Sequence, residues 1–170
     1  FEDALRQAQV NGYAEADPTA DIEGHDACRK ICILSDLAFG DQFDPEEVCC
    51  EGITAITLKD VACADRLGCV IKLIGRAVRC EDGTAYAFVA PHLVRKESPL
   101  ASVEDVFNAI MIEGNATGDV MFYGKGAGKL ATASAVCADM LDCIEHQGRR
   151  RRIQWGDGSR KLLRPLGSFA

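Results

Sequence analysis

The stretch CVIKLIGRAVRCEDGTAYAFVAPHLV, residues 69–94, contains two apolar runs rich in β-branched and aromatic residues, which Glu81-Asp82-Gly83-Thr84 separates. An Asp-Gly pair between two such runs is a strong signal for a tight turn. Residues 69–94 therefore predict an antiparallel hairpin. Pro91 predicts a sheet edge or the end of a strand, because proline cannot donate a hydrogen bond to a neighbouring strand.

A helical pattern precedes this hairpin at residues 26–40, DACRKICILSDLAFG. We expect Asp26 to cap this helix or to lie in its first turn, where the exposed amides favour a carboxylate, and Gly40 to end it. Residues 13–25 show no sustained period and predict a loop. The apolar positions of the predicted helix repeat at helical spacing and are Ala27, Ile31, Leu34, Leu37 and Ala38.

Three other segments carry helix signals. Residues 1–10 predict a helix that Asn11-Gly12 ends, and Asp44-Pro45-Glu46-Glu47 resembles a helix start. Thr57 or Asp60 is expected to cap a further helix that ends at Gly68. The apolar residues expected to face inward from this last helix are Leu58, Val61, Ala64 and Leu67.

A second hairpin and a last helix complete the pattern. Two apolar runs flank Asn115-Ala116-Thr117-Gly118 and predict the hairpin, and the helix is predicted from Thr132 to about His146. Its apolar face consists of Val136, Met140 and Ile144. The mixture predicts an α+β fold, in which helices pack on one face of a mixed, largely antiparallel sheet.

The composition is that of a globular protein with a packed core. The chain has 170 residues, of which 48% are hydrophobic and 26% charged, and its net charge is −7. This charge repels nucleic acid and anionic lipid, so neither is expected as a partner. No apolar run approaches the roughly 18 residues of a membrane span, and the first ten residues do not resemble a secretion signal. We expect a cytoplasmic protein.

The nine cysteines do not form a metal-binding pattern. Their spacing contains no CxxC pair, and the three histidines are scattered along the chain. Most of the cysteines stand among aliphatic residues, which favours small buried side chains in a reducing compartment over disulfides. The sequence therefore predicts no metal site.

Acidic residues cluster just before Lys30. They are Glu15, Asp17, Asp21, Glu23 and Asp26. Asp26 and Lys30 are four residues apart on the predicted helix, so their side chains share a face and can form an ion pair. Taken alone, this pattern fits a solvated loop followed by an exposed ion pair as well as it fits a binding site.

A longer stretch of sequence favours the binding site. GYAEADPTADIEGHDACRK, residues 12–30, resembles the substrate-binding segment of homoserine dehydrogenases, where a Gly-Tyr-x-Glu-x-Asp-Pro loop leads through acidic residues into an Asp-Ala-x-Arg-Lys helix. The resemblance covers about residues 1–146. The other segments that follow in the family's order are EGI at 51–53, IKLIG at 71–75, VAP at 89–91, SPLASV at 98–103, FNAI at 107–110, and FYGKGAG with TASAV between 122 and 136.

The resemblance implies interconversion of L-aspartate 4-semialdehyde and L-homoserine with NADP or NAD, in threonine, methionine and isoleucine biosynthesis. Lys30 resembles the catalytic lysine, which gives a proton to the aldehyde oxygen as hydride arrives. Asp26 resembles the aspartate that orients this lysine and the substrate hydroxyl. Glu15 and Asp21 resemble the carboxylates that face the ammonium group of the substrate.

The glycine-rich segment GKGAG at 124–128 has two interpretations. By its pattern alone it predicts a tight turn, because no strand and acidic residue complete a dinucleotide-binding fingerprint. The resemblance implies that Gly12, Gly126 and Gly128 contact the cofactor, and that the following helix packs on the cofactor-binding domain. Ala131 stands where the family usually has proline, which leaves this turn less rigid.

The sequence contains no βαβ unit with a GxGxxG fingerprint. The resemblance therefore implies a fragment without the N-terminal Rossmann domain, inactive in isolation. Residues 1–148 would form the catalytic and substrate-binding domain of a homodimer, and residues 149–170 a tail or linker. Two alternatives remain: a non-catalytic amino-acid-binding or regulatory dimerisation module, and a nucleic-acid adaptor using Arg149–Arg152, which the net charge disfavours.

Overall fold

The computed structural model describes residues 2–10, 16–126, 128–147, 156 and 162–164. These residues belong to two compact units, which we call the sheet unit, residues 17–93 and 152–170, and the hairpin unit, residues 1–16 and 94–151. Helices and strands occur in both, which confirms the predicted α+β class. The elements are α1 (Glu2–Val10), α2 (Thr19–Ile22), α3 (His25–Phe39), β1 (Cys49–Cys50), α4 (Leu58–Arg66), β2 (Cys69–Arg79), β3 (Ala85–Arg95), a 3₁₀ helix (Pro99–Ser102), β4 (Phe107–Gly114), β5 (Gly118–Lys125) and α5 (Lys129–Glu145).

The sheet unit contains three strands in the order β1-β3-β2. The predicted hairpin is confirmed, since β2 and β3 are neighbours and Cys80 N–H donates to the Thr84 carbonyl at 2.7 Å across the turn. β1 pairs with β3 in parallel, with Cys49 opposite Phe88 and Cys50 opposite Val89. This short parallel pair makes the sheet mixed.

The open edge of β3 explains Pro91. Glu51 N–H donates to the Val89 carbonyl at 2.8 Å, so Val89 directs its backbone polar groups toward the β1 side. Backbone groups alternate between the two edges of a strand, and Pro91, two residues further, therefore faces the same side. β1 has ended there, and the missing N–H of the proline leaves no hydrogen bond unmade.

Part of the C-terminal segment joins the same edge of β3. Ala85 N–H donates to the Leu162 carbonyl at 2.8 Å, and Arg164 N–H donates to the Ala85 carbonyl at 2.9 Å. The sequence predicted a tail or linker over residues 149–170. Residues 162–164 instead pair with the sheet, because the first residue of β3 offers unpaired backbone groups on the side that β1 does not reach.

The core of the sheet unit lies between α3 and the strands. Its buried members are Cys28, Cys32, Phe43, Val48, Ala85, Ala87 and Val89. Cys28, Cys32 and Ser35 form the buried face of α3, whereas Leu37, expected to face inward, is 50% exposed and Ala38 is also exposed. Ala27 and Ile31, also expected to face inward, are partly buried against this core. Two of the nine cysteines are thus buried as predicted, and Cys49, Cys63, Cys137 and Cys143 are exposed.

Two predictions, one of a loop and one of a helix start, need correction. Thr19–Ile22 forms a single helical turn within the predicted loop 13–25. Residues 44–47 form a turn and not a helix start: the Asp44 carboxylate accepts from Glu46 N–H at 2.9 Å, and the Asp44 carbonyl accepts from Glu47 N–H at 3.0 Å. The chain cannot continue as a helix there, because Val48 is buried in the core and leads directly into β1.

The helix α4 begins where its capping signals predict. Thr57 and Asp60 form a capping box, in which each side chain accepts a hydrogen bond from the backbone N–H of the other residue. The predicted inward face is wrong for three of its four residues. Ala64 is buried, but Leu58, Val61 and Leu67 are 85%, 49% and 70% exposed. The helix packs through a small part of its surface only, alongside β2.

The hairpin unit contains the second predicted hairpin. β4 and β5 pair antiparallel from Phe107 opposite Lys125 to Gly114 opposite Gly118. α5 begins at Lys129, three residues before the predicted start. Val136, Met140 and Ile144 lie on it as predicted and are 54–60% exposed. No helix among the described residues combines the length and the apolarity needed to cross a bilayer.

We predict that Phe43→Ala lowers the free energy of unfolding by about 3–5 kcal/mol, because this ring is buried and packs 5.8 Å from the Phe39 ring. Leu58→Ala is the control, since this side chain is 85% exposed, and should change stability by less than about 0.5 kcal/mol. Urea unfolding of both variants checks this. A large loss for Leu58→Ala would show that α4 buries the face predicted from sequence.

A second prediction concerns the pH dependence of stability. Burial, helped by the neighbouring Cys28, raises the pKa of the Cys32 thiol from 9.0 to about 12. The unfolded chain therefore releases this proton at a lower pH than the folded protein does. Above pH 9 this thiol should lower the free energy of unfolding, by up to about 1.4 kcal/mol per pH unit, until the folded thiol also ionises near pH 12.

The measurement is urea unfolding of the unmodified protein and of Cys32→Ala at several pH values on both sides of 9. The variant should lose stability less steeply as the pH rises. Cys63→Ala, which removes an exposed thiol, should follow the unmodified protein. Equal slopes for the unmodified protein and Cys32→Ala would contradict the prediction.

Candidate active site

An ion pair near the start of α3 is the centre of the candidate site. Lys30 Nζ lies 2.6 Å from Asp26 Oδ2, one helical turn apart. Their side chains are 66% and 45% exposed, so solvent and small molecules reach both groups. An exposed pair of this kind adds only a few tenths of a kcal/mol to stability. Its main consequence is chemical: an ammonium is held beside a carboxylate on a fixed helix.

The helix that carries the pair is anchored through its opposite face. Cys28 lies between Asp26 and Lys30 in the sequence and Cys32 follows Lys30, and both cysteines are buried in the core. Gly40 ends the helix in a left-handed conformation, as predicted. The backbone under the ion pair is therefore fixed by packing, while the two charged groups remain open to solvent.

The acidic turn precedes α3, and we use this name for residues 17–24. Asp17 accepts hydrogen bonds from Thr19 N–H at 3.1 Å and from Thr19 Oγ1 at 2.6 Å, and these bonds lower the pKa of its carboxyl. Asp17 thus binds the first residue of the short helix α2, which packs against α3. Asp21 lies in the first turn of α2 and is exposed.

Gly24 connects the acidic turn to α3. It is the residue preceding the first helical residue, it has a φ of 80°, and no side chain caps the helix there. A Cβ atom at this position would lie 3.1 Å from Val89 Cγ1 and 3.2 Å from Cys50 Sγ. Glycine therefore fits this position for two reasons, the left-handed backbone and the closeness of the sheet.

The structure places the predicted site residues as follows. Asp26 and Lys30 are in direct contact, and Asp21 lies on the adjacent helix of the same unit. Glu15 and Gly12 lie outside the described residues. Gly126 and Gly128 belong to the hairpin unit and lie in the junction between β5 and α5.

The two glycines of that junction have different surroundings. The Asn108 side chain occupies the space that a Cβ on Gly126 would need, and its Cγ would lie 2.7 Å from that Cβ. At Gly128, with a φ of 113°, nothing lies within 4 Å of such a Cβ, and the residue directly precedes α5. Gly128 therefore leaves open space next to the first amides of a helix, whereas Gly126 accommodates Asn108.

One group of residues near the site was not predicted from the sequence. Residues 50–53, with the sequence CEGI, contact the acidic turn: Ile53 N–H donates to the Ile22 carbonyl at 2.8 Å. The segment EGI carried part of the family resemblance, but nothing in its local pattern indicated a partner about 30 residues earlier in the chain. Among the described residues, no group of three or more His, Cys, Asp or Glu is arranged to hold a metal ion.

Comparisons with known proteins agree with the resemblance. The profile of the homoserine dehydrogenase family matches residues 1–141. Homoserine dehydrogenase from Synechocystis is 48% identical over 147 residues, which cover 85% of this chain and 34% of that protein. The crystal structure of S. aureus homoserine dehydrogenase at pH 7.5 has a TM-score of 0.79 and 48% identity, and the match covers 89% of this chain and 37% of the other.

A more distant structure extends the comparison. A hyperthermophilic archaeal homoserine dehydrogenase in complex with NADPH has a TM-score of 0.65 and 30% identity, covering 85% of this chain and 40% of that one. The chain spans about a third of the length of the curated relatives that it matches. Since the family profile matches most of the sequence and the fold agrees, the chain belongs to the homoserine dehydrogenase family.

Proposed function

We propose that this chain is the substrate-binding and catalytic part of an NAD(P)-dependent homoserine dehydrogenase, which interconverts L-aspartate 4-semialdehyde and L-homoserine. The observation that carries the proposal is the solvent-open ion pair of Lys30 and Asp26 beside the acidic turn. Family membership supports it. Because the chain spans about a third of its relatives, the activity of the whole protein is part of the proposal.

Lys30 supplies the proton of the reaction. When hydride adds to the aldehyde carbon, the carbonyl oxygen becomes an alkoxide, which is far more basic than an amine. The Lys30 ammonium stabilises this charge and transfers a proton to the oxygen. The lysine then recovers a proton from solvent, to which its side chain is 66% exposed.

Asp26 positions Lys30 and balances its charge. The distance of 2.6 Å between Asp26 Oδ2 and Lys30 Nζ fixes one direction of the ammonium, and its other N–H groups are left to face a substrate oxygen. In the oxidation of homoserine the same carboxylate is placed to accept from the substrate hydroxyl. Asp26 therefore orients both Lys30, which donates the proton, and the substrate oxygen that receives it.

Asp21 recognises the amino end of the substrate, together with Glu15. A substrate ammonium needs anionic partners, and charge-assisted hydrogen bonds to carboxylates are the strong ones. The exposed Asp21 carboxylate lies on α2, directly before the helix of the ion pair. Thr19 binds Asp17 through Oδ1 only, so the exposed Asp17 adds a second negative charge close to Asp21.

A nicotinamide cofactor supplies the hydride, and most of its binding site belongs to a Rossmann domain that this sequence does not contain. The residues of this chain that fit the cofactor are those at the start of α5. Gly128 leaves open space there, and the first amides of a helix favour a phosphate or another anion. Gly126 also admits Asn108 against its backbone, and its contact with the cofactor is part of the proposal.

The proposal includes a cytoplasmic homodimer that works in threonine, methionine and isoleucine biosynthesis. All nine cysteines are free thiols, which fits a reducing compartment. Large apolar side chains are exposed in the hairpin unit, among them Phe122, Val136, Met140 and Ile144. Such side chains favour burial against further protein, which supports an assembly larger than this chain.

Lys30→Ala tests the proposal in the full-length gene product that contains this chain. We predict that kcat for homoserine oxidation, followed through NADPH formation, falls by on the order of 10³-fold or more. Lys59→Ala is the control, because Lys59 is an exposed lysine on α4. Near-normal turnover by Lys30→Ala would remove this residue from the mechanism.

Asp21→Asn tests the recognition of the ammonium group. This change removes the charge with little change in shape, so KM for homoserine should rise by roughly tenfold, and kcat should change less. Asp119→Asn, an exposed position on β5, should leave both parameters unchanged. An unchanged KM in Asp21→Asn would exclude Asp21 as the partner of the ammonium.

A further inference from the structure

We propose that residues 50–53 are a brace that positions the acidic turn, and that Gly52 and Cys50 are positioning residues for recognition of the substrate. The inference rests on the proposed function, because it concerns how Asp21 is held beside the ion pair of α3. The brace contacts the backbone of residues 22–24 and acts on the site through that backbone.

Gly52 makes the closest contact of the brace. A Cβ atom there would overlap the Ile22 carbonyl oxygen, and it would lie only 2.5 Å from Glu23 Cα and 3.0 Å from the Glu23 carbonyl carbon. All three are backbone atoms, so no side-chain rotation could relieve the overlap. Two backbone segments therefore pack directly on each other, and any side chain at position 52 would push the acidic turn away.

Two hydrogen bonds fix the direction of this contact. Ile53 N–H donates to the Ile22 carbonyl at 2.8 Å, and the Cys50 thiol donates to the Glu23 carbonyl at 3.3 Å. Gly24 then lies against Cys50 Sγ and a methyl group of the sheet. Three consecutive residues of the acidic turn are thus held by one segment.

The brace is itself fixed to the sheet. Cys50 is opposite Val89 in the parallel pair of β1 and β3, and Glu51 N–H donates to the Val89 carbonyl at 2.8 Å. Val89 is fully buried in the core. The central strand of the sheet therefore positions the acidic turn, through backbone contacts and the short side chain of Cys50.

The two parts of the site depend on the brace to different degrees. Asp26 and Lys30 lie on α3, which contacts Cys50 through Cys28 but also packs on β2 and into the core, so it has anchors besides residues 50–53. Asp21 lies on the short helix α2, adjacent to the braced Ile22. Displacement of the acidic turn should therefore move Asp21 relative to the ion pair, and should affect substrate binding more than the chemical step.

The test uses Gly52→Ala and Cys50→Ala in the full-length gene product, with homoserine as the varied substrate. A displacement on the order of 1 Å should raise KM by roughly tenfold or more in Gly52→Ala, with kcat within about threefold of the unmodified protein. Cys50→Ala removes one hydrogen bond without adding bulk, so its KM should rise in the same direction by a smaller factor. If Gly52→Ala fails to fold, Cys50→Ala decides the question.

Gly83→Ala is the matched control. Gly83 has a φ of 84° in the turn between β2 and β3, and nothing lies within 4 Å of a Cβ there, so alanine strains the backbone without pushing another segment. Its thermal stability should fall while its KM remains unchanged. If KM rises as much in Gly83→Ala as in the brace variants, general destabilisation explains the change in KM, and the inference is overturned.

The remaining outcomes separate the inference from the proposed function. An active unmodified protein whose KM stays constant in both brace variants would overturn the inference alone. Activity that falls only through kcat would also overturn it, since that result would place the effect on the ion pair. An inactive unmodified gene product would overturn the proposed function and the substrate role of the brace together.

Discussion

The close approach of α3 to the strands is the constraint on which the sheet unit depends. A Cβ on Gly75 would lie 3.1 Å from Ile31 Cβ and 3.4 Å from the Ala27 carbonyl oxygen, so β2 has no room for a side chain there. The helix meets Gly75 with Ile31 and the Ala27 backbone, while Cys28 and Cys32 are buried in the adjoining core. Since one face of α3 is closely packed, its other face can carry charged groups in solvent on a backbone that does not move.

Local signals predicted the hairpins and the helix ends, because those features depend on a few adjacent residues. The Asp-Gly turn joins β2 and β3, and Thr57 with Asp60 caps α4. The buried faces were harder to predict, since a helix buries whichever side meets its neighbour. On α3 the thiols of Cys28 and Cys32 are buried, while Leu37 is 50% exposed. Hydrophobicity ranks those side chains in the opposite order, so only knowledge of the partner surface could have corrected the prediction.

The candidate site shows the same division between local and distant information. The spacing of Asp26 and Lys30 predicted their ion pair, because residues four apart share one face of a helix. The catalytic role proposed for this pair comes from family resemblance, because an ordinary surface pair has the same geometry. The contact of Gly52 with Ile22 and Glu23 involves backbone atoms from segments about 30 residues apart. No periodicity or capping pattern records such a contact, and glycine is common in loops for its backbone freedom alone.

The charges near α3 also bear on the substrate that the site would accept. Asp26 neutralises Lys30, whereas Asp17, which Thr19 holds through Oδ1, and the exposed Asp21 keep their negative charges on the segment directly before the ion pair. A ligand that fits this distribution carries a cationic group at one end and, at the other, an oxygen that receives a proton from an ammonium. An amino-acid aldehyde has both groups in one short molecule, whereas an aldehyde without the amino group would leave the carboxylate of Asp21 without a partner in the complex.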